Sequence, residues 1–329
     1  MSNQKIFAYE VREDERAEMA SVAVRLGIDL VTSGEVPSME NAAEVEGCIG
    51  VTILGQGNIN KELLSAWAAA GVRYVSTRTI GFDHIDVEAA KSLGIRVCNA
   101  RYAPNGVAEF TIMLMLICLR NYKQASWRSR VNDFSLRGLE GRELKDLTVG
   151  VMGTGHIGQK VIEILSGFGC RIVAFDHNEK EAVKQFATYV SPDELYAQSD
   201  VITLHLPALP STHHIIDAQA IAKMKDGVVL VNCARGELMD VAALVDGVES
   251  EKIGAIGMDT IEGETGMVHT DRRSDILANR DLFYLMQFSN VVITQHMAFY
   301  TEAAVRSMVE CGIEGIAKMA AGEHYPTEL

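Results

Sequence analysis

The sequence predicts an α/β protein built as two domains, each on a parallel sheet. Three observations carry this reading. The length of 329 residues suits two domains at roughly 100–200 residues each. Short apolar runs alternate with amphipathic stretches from Lys5 onward, the pattern of βα units. A glycine-rich turn then opens a second such series in mid-chain. The composition, 48% hydrophobic and 22% charged, is a globular balance that excludes a disordered or fibrous chain.

In the first series, strand-like Lys5–Tyr9 precedes a helical stretch over Asp14–Leu26, Gly47–Leu54 precedes Lys61–Ala70, and Arg73–Ser76 precedes Val87–Leu93 and Ile95–Val97. Pro104 marks a helix start, and the apolar run from there to about Leu119 reads as a buried helix crossing between the domains. The second series has six strands: Leu147–Met152, Arg171–Phe175, Val201–Leu204, Gly227–Val231, Ala255–Met258 and Val291–Ile293. Six strands with intervening helices make a complete dinucleotide-binding sheet. Thr301–Ala321 carries apolar residues at helical spacing. A lone helix must pack on an existing domain, and its pattern leaves open which.

A formal net charge of −14 argues against nucleic acid and anionic membrane as partners, because both need clustered Lys and Arg. The same acidity suits an anionic substrate only if the site supplies positive charge locally. The N-terminus shows no secretory pattern, and the longest apolar run, residues 110–119, is about half of a bilayer span. Six cysteines without a C-x-x-C pair read as reduced core thiols of a cytoplasmic protein. The Met113–Met115 run reads as core filling. Thr212-His213-His214-Ile215 reads as a surface loop: adjacent histidines are expected to point in different directions with no third ligand nearby in sequence, so no metal is expected.

Gly153-Thr-Gly155-His156-Ile157-Gly158 fits G-x-G-x-x-G, follows an apolar strand, opens a helix, and is followed 18 residues after Gly158 by Asp176 at the end of the next strand. In that context the pattern is a dinucleotide fingerprint. Gly153 permits the tight turn, Gly155 lets backbone approach a pyrophosphate, and Gly158 lets helix and strand pack closely, while the N–H groups of His156 and Ile157 face the phosphates. Asp176 suits the adenine ribose hydroxyls and repels a 2′-phosphate, so the expected cofactor is NAD.

Polar residues follow three later strands, at Asn232-Cys-Ala-Arg235-Gly236, Asp259-Thr-Ile-Glu-Gly-Glu264 and Thr294-Gln295-His296. Ligands of doubly wound sheets bind at such strand exits. An Arg to hold a carboxylate, a His as general acid and an acid to orient that His suggest hydride transfer at a 2-keto or 2-hydroxy acid.

With Val149–Gly158, Asn232–Gly236, Met258–Glu264 and His296–Glu302 as they stand, the chain resembles the D-isomer-specific 2-hydroxyacid dehydrogenase family over essentially its whole length. Within it the opening Lys5–Glu15, the long polar stretch 265–287, Ser76–Gly81 and His84–Asp86 resemble the D-lactate and (R)-2-hydroxyisocaproate subgroup, including the D-lactate dehydrogenases of vancomycin-resistance clusters. The resemblance implies two Rossmann-like or flavodoxin-like domains, a discontinuous one of residues 1–101 and 300–329 for substrate and one of residues 102–299 for NAD, with the active site in the interdomain cleft, and a homodimer.

Carried over by motif position, the resemblance implies that Arg235 binds the substrate carboxylate and keto oxygen, His296 donates the proton and Glu264 pairs with His296. It implies that Asp259 holds the nicotinamide carboxamide and that His205-Leu206-Pro207 and Cys233-Ala234 line the cofactor. The backbone amides of Ile80 and Gly81 would grip the carboxylate, with Tyr102, Phe299 and Tyr300 around the substrate side chain. Two departures stand out. Gln295 replaces the usual Pro, restoring a backbone N–H and loosening the φ restraint before His296, and Thr260-Ile261 replaces the more usual Val-Tyr or Val-Phe. The rival readings are an NAD(H)-sensing corepressor-like binding protein and a dehydrogenase of the hydroxypyruvate or phosphoglycerate type.

Overall fold

Strands β1 (Lys5–Ala8), β2 (Asp29–Thr32), β3 (Gly50–Ile53), β4 (Tyr74–Thr77) and β5 (Arg96–Cys98) form one parallel sheet in the order β2-β1-β3-β4-β5. The computed structural model describes residues 4–264, 266–276 and 278–329. Within the stretch 265–287, Thr265 and Leu277 therefore lie outside the described residues. The contacts divide the chain into one unit of Met1–Ala103 and Tyr300–Leu329 and another of Pro104–Phe299.

In β1 the period-two alternation of side chains sends Ile6 and Ala8 to one face of the sheet, where they pack with Val22, Val309, Ile313 and Ile316. Phe7 and the following Tyr9 go to the other face, with Val51, Ile53 and Trp67. Both faces are covered, which is why these strands read as continuous apolar runs. The first face is covered partly by the helix Glu302–Ala320. Its small residues fit closely: a Cβ on Gly312 would lie 2.8 Å from both Thr52 Oγ1 and Arg78 Cγ. The Ser76 hydroxyl donates to the Gly312 carbonyl at 2.6 Å, and the amide of Leu329 donates to Val97 at 2.9 Å.

The second unit carries β6 (Thr148–Met152), β7 (Arg171–Phe175), β8 (Thr188–Tyr189), β9 (Val201–Leu204), β10 (Val228–Asn232), β11 (Ile253–Met258) and β12 (Val291–Ile293) in the order β12-β11-β10-β9-β6-β7-β8, again all parallel. The order reverses between β6 and β9, so a crevice opens at their C-terminal ends, where dinucleotides bind in such sheets. The helix Asn105–Leu119 packs on β10, β11 and the helix His156–Ser166.

Two strands are absent from the expected set. The edge strand β2 has only half-buried or exposed residues, so its apolar signal is weak, and β8 is two residues long, too short to show an alternation. Met113 also departs from the core-filling reading: it is 40% exposed while Met115 is fully buried, because the helix turns one of its two methionines outward. All six cysteines are free. Burial pushes the Cys118 and Cys233 thiols up to about 12, which keeps them protonated and unreactive. Among the described residues no helix is long and apolar enough to cross a membrane.

Candidate active site

The glycine turn sits at the C-terminal end of β6. A Cβ on Gly153, which has φ +94°, would lie 2.4 Å from the His205 carbonyl oxygen, and one on Gly158 would lie 2.0 Å from the Gly153 carbonyl oxygen. Only glycine lets the turn, the helix and the exit of β9 come this close. Gly155 has open space where its Cβ would be, and it caps the helix His156–Ser166 without a side chain. That combination leaves helix N-terminal amides at His156 and Ile157 with room for a pyrophosphate. The His156 side chain is exposed.

Asp176 follows β7. Its Oδ2 accepts from the Thr154 amide at 2.7 Å and the Thr154 hydroxyl at 3.1 Å, and its Oδ1 from the Asn178 amide at 2.8 Å. Burial alone would raise the pKa of this carboxyl, but the hydrogen bonds from Asn178 and Thr154 outweigh it and hold it below the usual range. The carboxylate is thus a fixed anion with acceptor capacity left on Oδ1, fitting a ribose diol. Sequence reasoning missed its supports: Thr154 also contacts the Tyr189 hydroxyl at 2.8 Å, which accepts from the Lys180 amide at 2.9 Å.

His205, after β9, has its Nε2 3.0 Å from the Thr203 hydroxyl. Burial pushes its imidazole down to about 3, so it is a neutral wall beside Leu206 and Pro207. Cys233 is buried and Ala234 half-buried after β10, where the Ala234 amide donates to Asn232 Oδ1 at 3.0 Å. These groups and the glycine turn fit a dinucleotide.

The loops after β10, β11 and β12 bring the reactive set together. Gly236 makes this possible: a Cβ there would lie 2.1 Å from the Ile261 carbonyl carbon, so no other residue lets the first two loops touch. Arg235, half-buried, donates from Nη1 to the Ala234 carbonyl at 2.8 Å, while its own carbonyl accepts from Asn232 Nδ2 at 2.8 Å. Glu264 Oε2 accepts from the Ile261 amide at 2.8 Å, and its Oε1 lies 2.5 Å from His296 Nδ1. The carboxylate can only accept, so Nδ1 carries a hydrogen and Nε2 is the ring nitrogen left for chemistry. Phe299 stands edge-on to the His296 ring with centroids 6.2 Å apart.

His296 has φ +53°, a left-handed conformation that costs about 1–2 kcal/mol for a residue with a Cβ. Two groups hold it. Asp259 is fully buried. Its Oδ1 accepts from the Thr294 hydroxyl at 2.5 Å and the Met297 amide at 2.9 Å, and its Oδ2 from the Ala298 amide at 2.7 Å. It is a positioning residue that clamps both sides of His296. The second is His269, whose Nε2 donates to the His296 carbonyl at 3.0 Å. No sequence signal pointed to His269.

The remaining expected substrate residues lie in the first unit, apart from Phe299. Thr79 donates to the Gly81 carbonyl and Asn99 to the Ile80 carbonyl, both at 2.6 Å. Among the described residues no protein hydrogen bond engages the N–H groups of Ile80 and Gly81. Their loop is anchored by fully buried Arg78, which pairs with Glu15 at 3.1 Å and donates to the carbonyls of Tyr9 and Glu10. Tyr102 is half-buried. Tyr300 is exposed, with the Arg12 guanidinium 5.0 Å over its ring.

One expectation is corrected here. His213 and His214 do not diverge: their rings stack with centroids 3.9 Å apart. His214 has φ +49°, and this left-handed turn brings its side chain to the same side as its neighbour. Glu262, remote in sequence, meets them, with an oxygen 2.9 Å from His214 Nε2 and 3.7 Å from His213 Nε2.

Known proteins resemble this chain over most of its length. Residues 112–298 match the family described as D-isomer specific 2-hydroxyacid dehydrogenase, NAD binding domain. An aromatic 2-oxoacid reductase of Clostridium sporogenes is 43% identical over 93% of both chains. A D-lactate dehydrogenase of Leuconostoc mesenteroides subsp. cremoris is 38% identical over 97% of each. The NAD-complexed D-isomer specific 2-hydroxyacid dehydrogenase of Lactobacillus delbrueckii ssp. bulgaricus superposes with a TM-score of 0.84 at 29% identity, covering 99% of this chain and 100% of its own. The chain belongs to the D-isomer-specific 2-hydroxyacid dehydrogenase family and is an NAD-dependent oxidoreductase.

Proposed function

We propose that this protein reduces a 2-keto acid, pyruvate or a larger aliphatic or aromatic one, to the (R)-2-hydroxy acid, with Arg235, Glu264 and His296 as its catalytic residues. The observation that carries the reading is the 2.5 Å contact of His296 Nδ1 with Glu264, which leaves Nε2 as a directed proton donor on the sheet rim that also bears the glycine turn. NADH, when bound, supplies the hydride to C2. Arg235 binds the substrate carboxylate through the fork of its guanidinium, joined by the amides of Ile80 and Gly81. Protonated His296 donates from Nε2 to the oxygen that gains charge as C2 is reduced, and Glu264 stabilises the imidazolium until that donation. The positive charge that a −14 chain needs for an anionic substrate is thus local. Phe299 and Tyr102 bound the substrate side chain.

The cofactor is gripped at Gly153, Gly155, the amides of His156 and Ile157, and Asp176, with His205, Leu206, Pro207, Cys233 and Ala234 as walls. A homodimer of the second unit is supported by a stretch that buries little of its apolar surface, where Trp127 is 65%, Phe134 76% and Leu136 83% exposed. Such a patch marks an interaction surface. A cytoplasmic site is supported by the six free thiols.

NADH absorbance followed with pyruvate, 2-ketoisocaproate, phenylpyruvate and hydroxypyruvate tests the reading. At least the first three should include a substrate, and His296→Ala should lower kcat by about 10²–10⁴-fold, the usual weight of a positioned general acid. Oxidation with none of them, or near-normal turnover of the variant, would sink it. Light scattering during size-exclusion chromatography should give the mass of two chains.

A further inference from the structure

The stacked pair His213 and His214 with Glu262 lies outside the machinery described above, and its donor set is that of a metal site. One ring nitrogen of each imidazole and a Glu262 carboxylate oxygen lie within 4.8 Å of one another, and both Nε2 atoms face the same Glu262 oxygen. In a tetrahedral zinc site, with bonds of about 2.0–2.2 Å, donors sit roughly 3.4 Å apart. Small side-chain rotations close that difference. His214 already contacts Glu262 at 2.9 Å, whereas His213 at 3.7 Å is beyond hydrogen-bond reach. A hydrogen bond to Glu262 therefore fixes His214, and ring stacking holds the His213 nitrogen beside the same carboxylate oxygen.

The backbone under all three ligands is fixed. The Thr212 hydroxyl donates to the Pro207 carbonyl at 2.6 Å and accepts from the Leu209 amide at 2.9 Å. The His214 amide donates to Glu237 at 2.8 Å and the Ile216 amide to Leu238 at 3.0 Å. Glu262 is held where Gly236 presses on the Ile261–Glu262 peptide. A site whose ligands are already placed loses little freedom on binding.

We propose that His213, His214 and Glu262 form a binding site for a borderline divalent cation, of which Zn²⁺ is the type. Two imidazoles and one carboxylate suit Zn²⁺ and leave a fourth position for water, whereas Mg²⁺ prefers an all-oxygen shell. Each imidazole binds through Nε2 with its single proton on Nδ1. The bound ion staples the loop after β9 to the segment that leads from Ile261 to Glu264.

The test uses untagged full-length protein stripped with a chelator, titrated with ZnCl₂ by calorimetry, with MgCl₂ in parallel and the visible spectrum of a Co²⁺-loaded sample as a coordination signature. One Zn²⁺ should bind per chain. His213→Ala and Glu262→Gln should each weaken it at least about tenfold, the loss that even an outer-shell partner causes, while both keep the wild-type circular dichroism and NADH affinity. His213 is 53% exposed on its side chain, so its removal leaves the fold intact. No zinc binding up to about 1 mM, a range of negligible affinity, equal affinity in both variants, or equal binding of Mg²⁺ overturns the assignment.

Discussion

Asp259→Asn isolates the clamp that holds His296. The carboxylate accepts three hydrogen bonds, from Thr294, Met297 and Ala298, in a fully buried position. An amide has one acceptor oxygen. If it keeps Thr294 and Met297, its NH₂ faces the Ala298 N–H, so a charge-assisted bond is lost and two buried donors oppose each other. Each unmet buried group costs about 1–3 kcal/mol, so the variant should lose about 3 kcal/mol. That exceeds the roughly 1–2 kcal/mol needed to keep His296 left-handed, and the backbone should relax and carry the imidazole off line. A misplacement of about 1 Å typically costs about 10²-fold. Steady-state reduction of the best substrate should show kcat down by about 10–100-fold with a small change in KM for NADH. At about 2–4 °C per kcal/mol for a unit of this size, the thermal midpoint should fall by about 6–12 °C. The carboxamide role predicts the reverse split, a raised KM for NADH and an unchanged midpoint; that result, or wild-type kcat, would refute the clamp.

Three further outcomes are expected. Asp176→Ala should relax the preference for NADH over NADPH, read as the ratio of kcat/KM values, because a fixed anion no longer faces a 2′-phosphate; an unchanged ratio means another group sets it. His269→Ala removes the donor to the His296 carbonyl and should lower kcat several-fold with NADH affinity kept, and His269→Asn should restore part of it if the bond is what matters. Glu328→Gln should destabilise the protein by about 1 kcal/mol at neutral pH, a charged hydrogen bond discounted for its partly exposed site. The Arg96 guanidinium, 2.7 Å away, holds the Glu328 carboxyl down to about 2. A lowered folded pKa stabilises above the unfolded value, so the wild-type advantage should vanish as pH falls from about 4.5 towards 2. An advantage unchanged across that window would count against the pair.

Features with a local signal are the ones the sequence makes legible. Gly153 to Gly158 and Asp176 lie on one strand–turn–helix–strand segment, so spacing alone assembles them, and the strands other than β2 and β8 announce themselves as apolar runs because both faces of their sheets are covered. Arg235, Glu264 and His296 are legible only as strand-exit polars and through resemblance, since nothing in their spacing shows that Gly236 lets two loops touch. The partners of Asp259 are not legible at all: an acid after a strand looks the same whether it faces a ligand or turns inward to three donors on the next loop. His269, Tyr189 and Glu262 escape for the same reason, acting across contacts remote in sequence. His214 escapes because a positive φ at a non-glycine residue leaves no mark in composition.

The helix Glu302–Ala320, which covers part of one face of the first sheet, sets an order of events during synthesis. The strands it packs on, β3, β4 and β5, leave the ribosome early, and the whole second unit is made before the helix appears. At about 5–20 residues per second, Ile6, Ala8 and Val22 wait tens of seconds for Val309, Ile313 and Ile316. During that interval the second unit has everything it needs to fold, while the first presents a sheet face whose apolar side chains are only partly covered. The nascent chain is therefore a client for holding chaperones through its oldest part, and aggregation on overexpression should start from there.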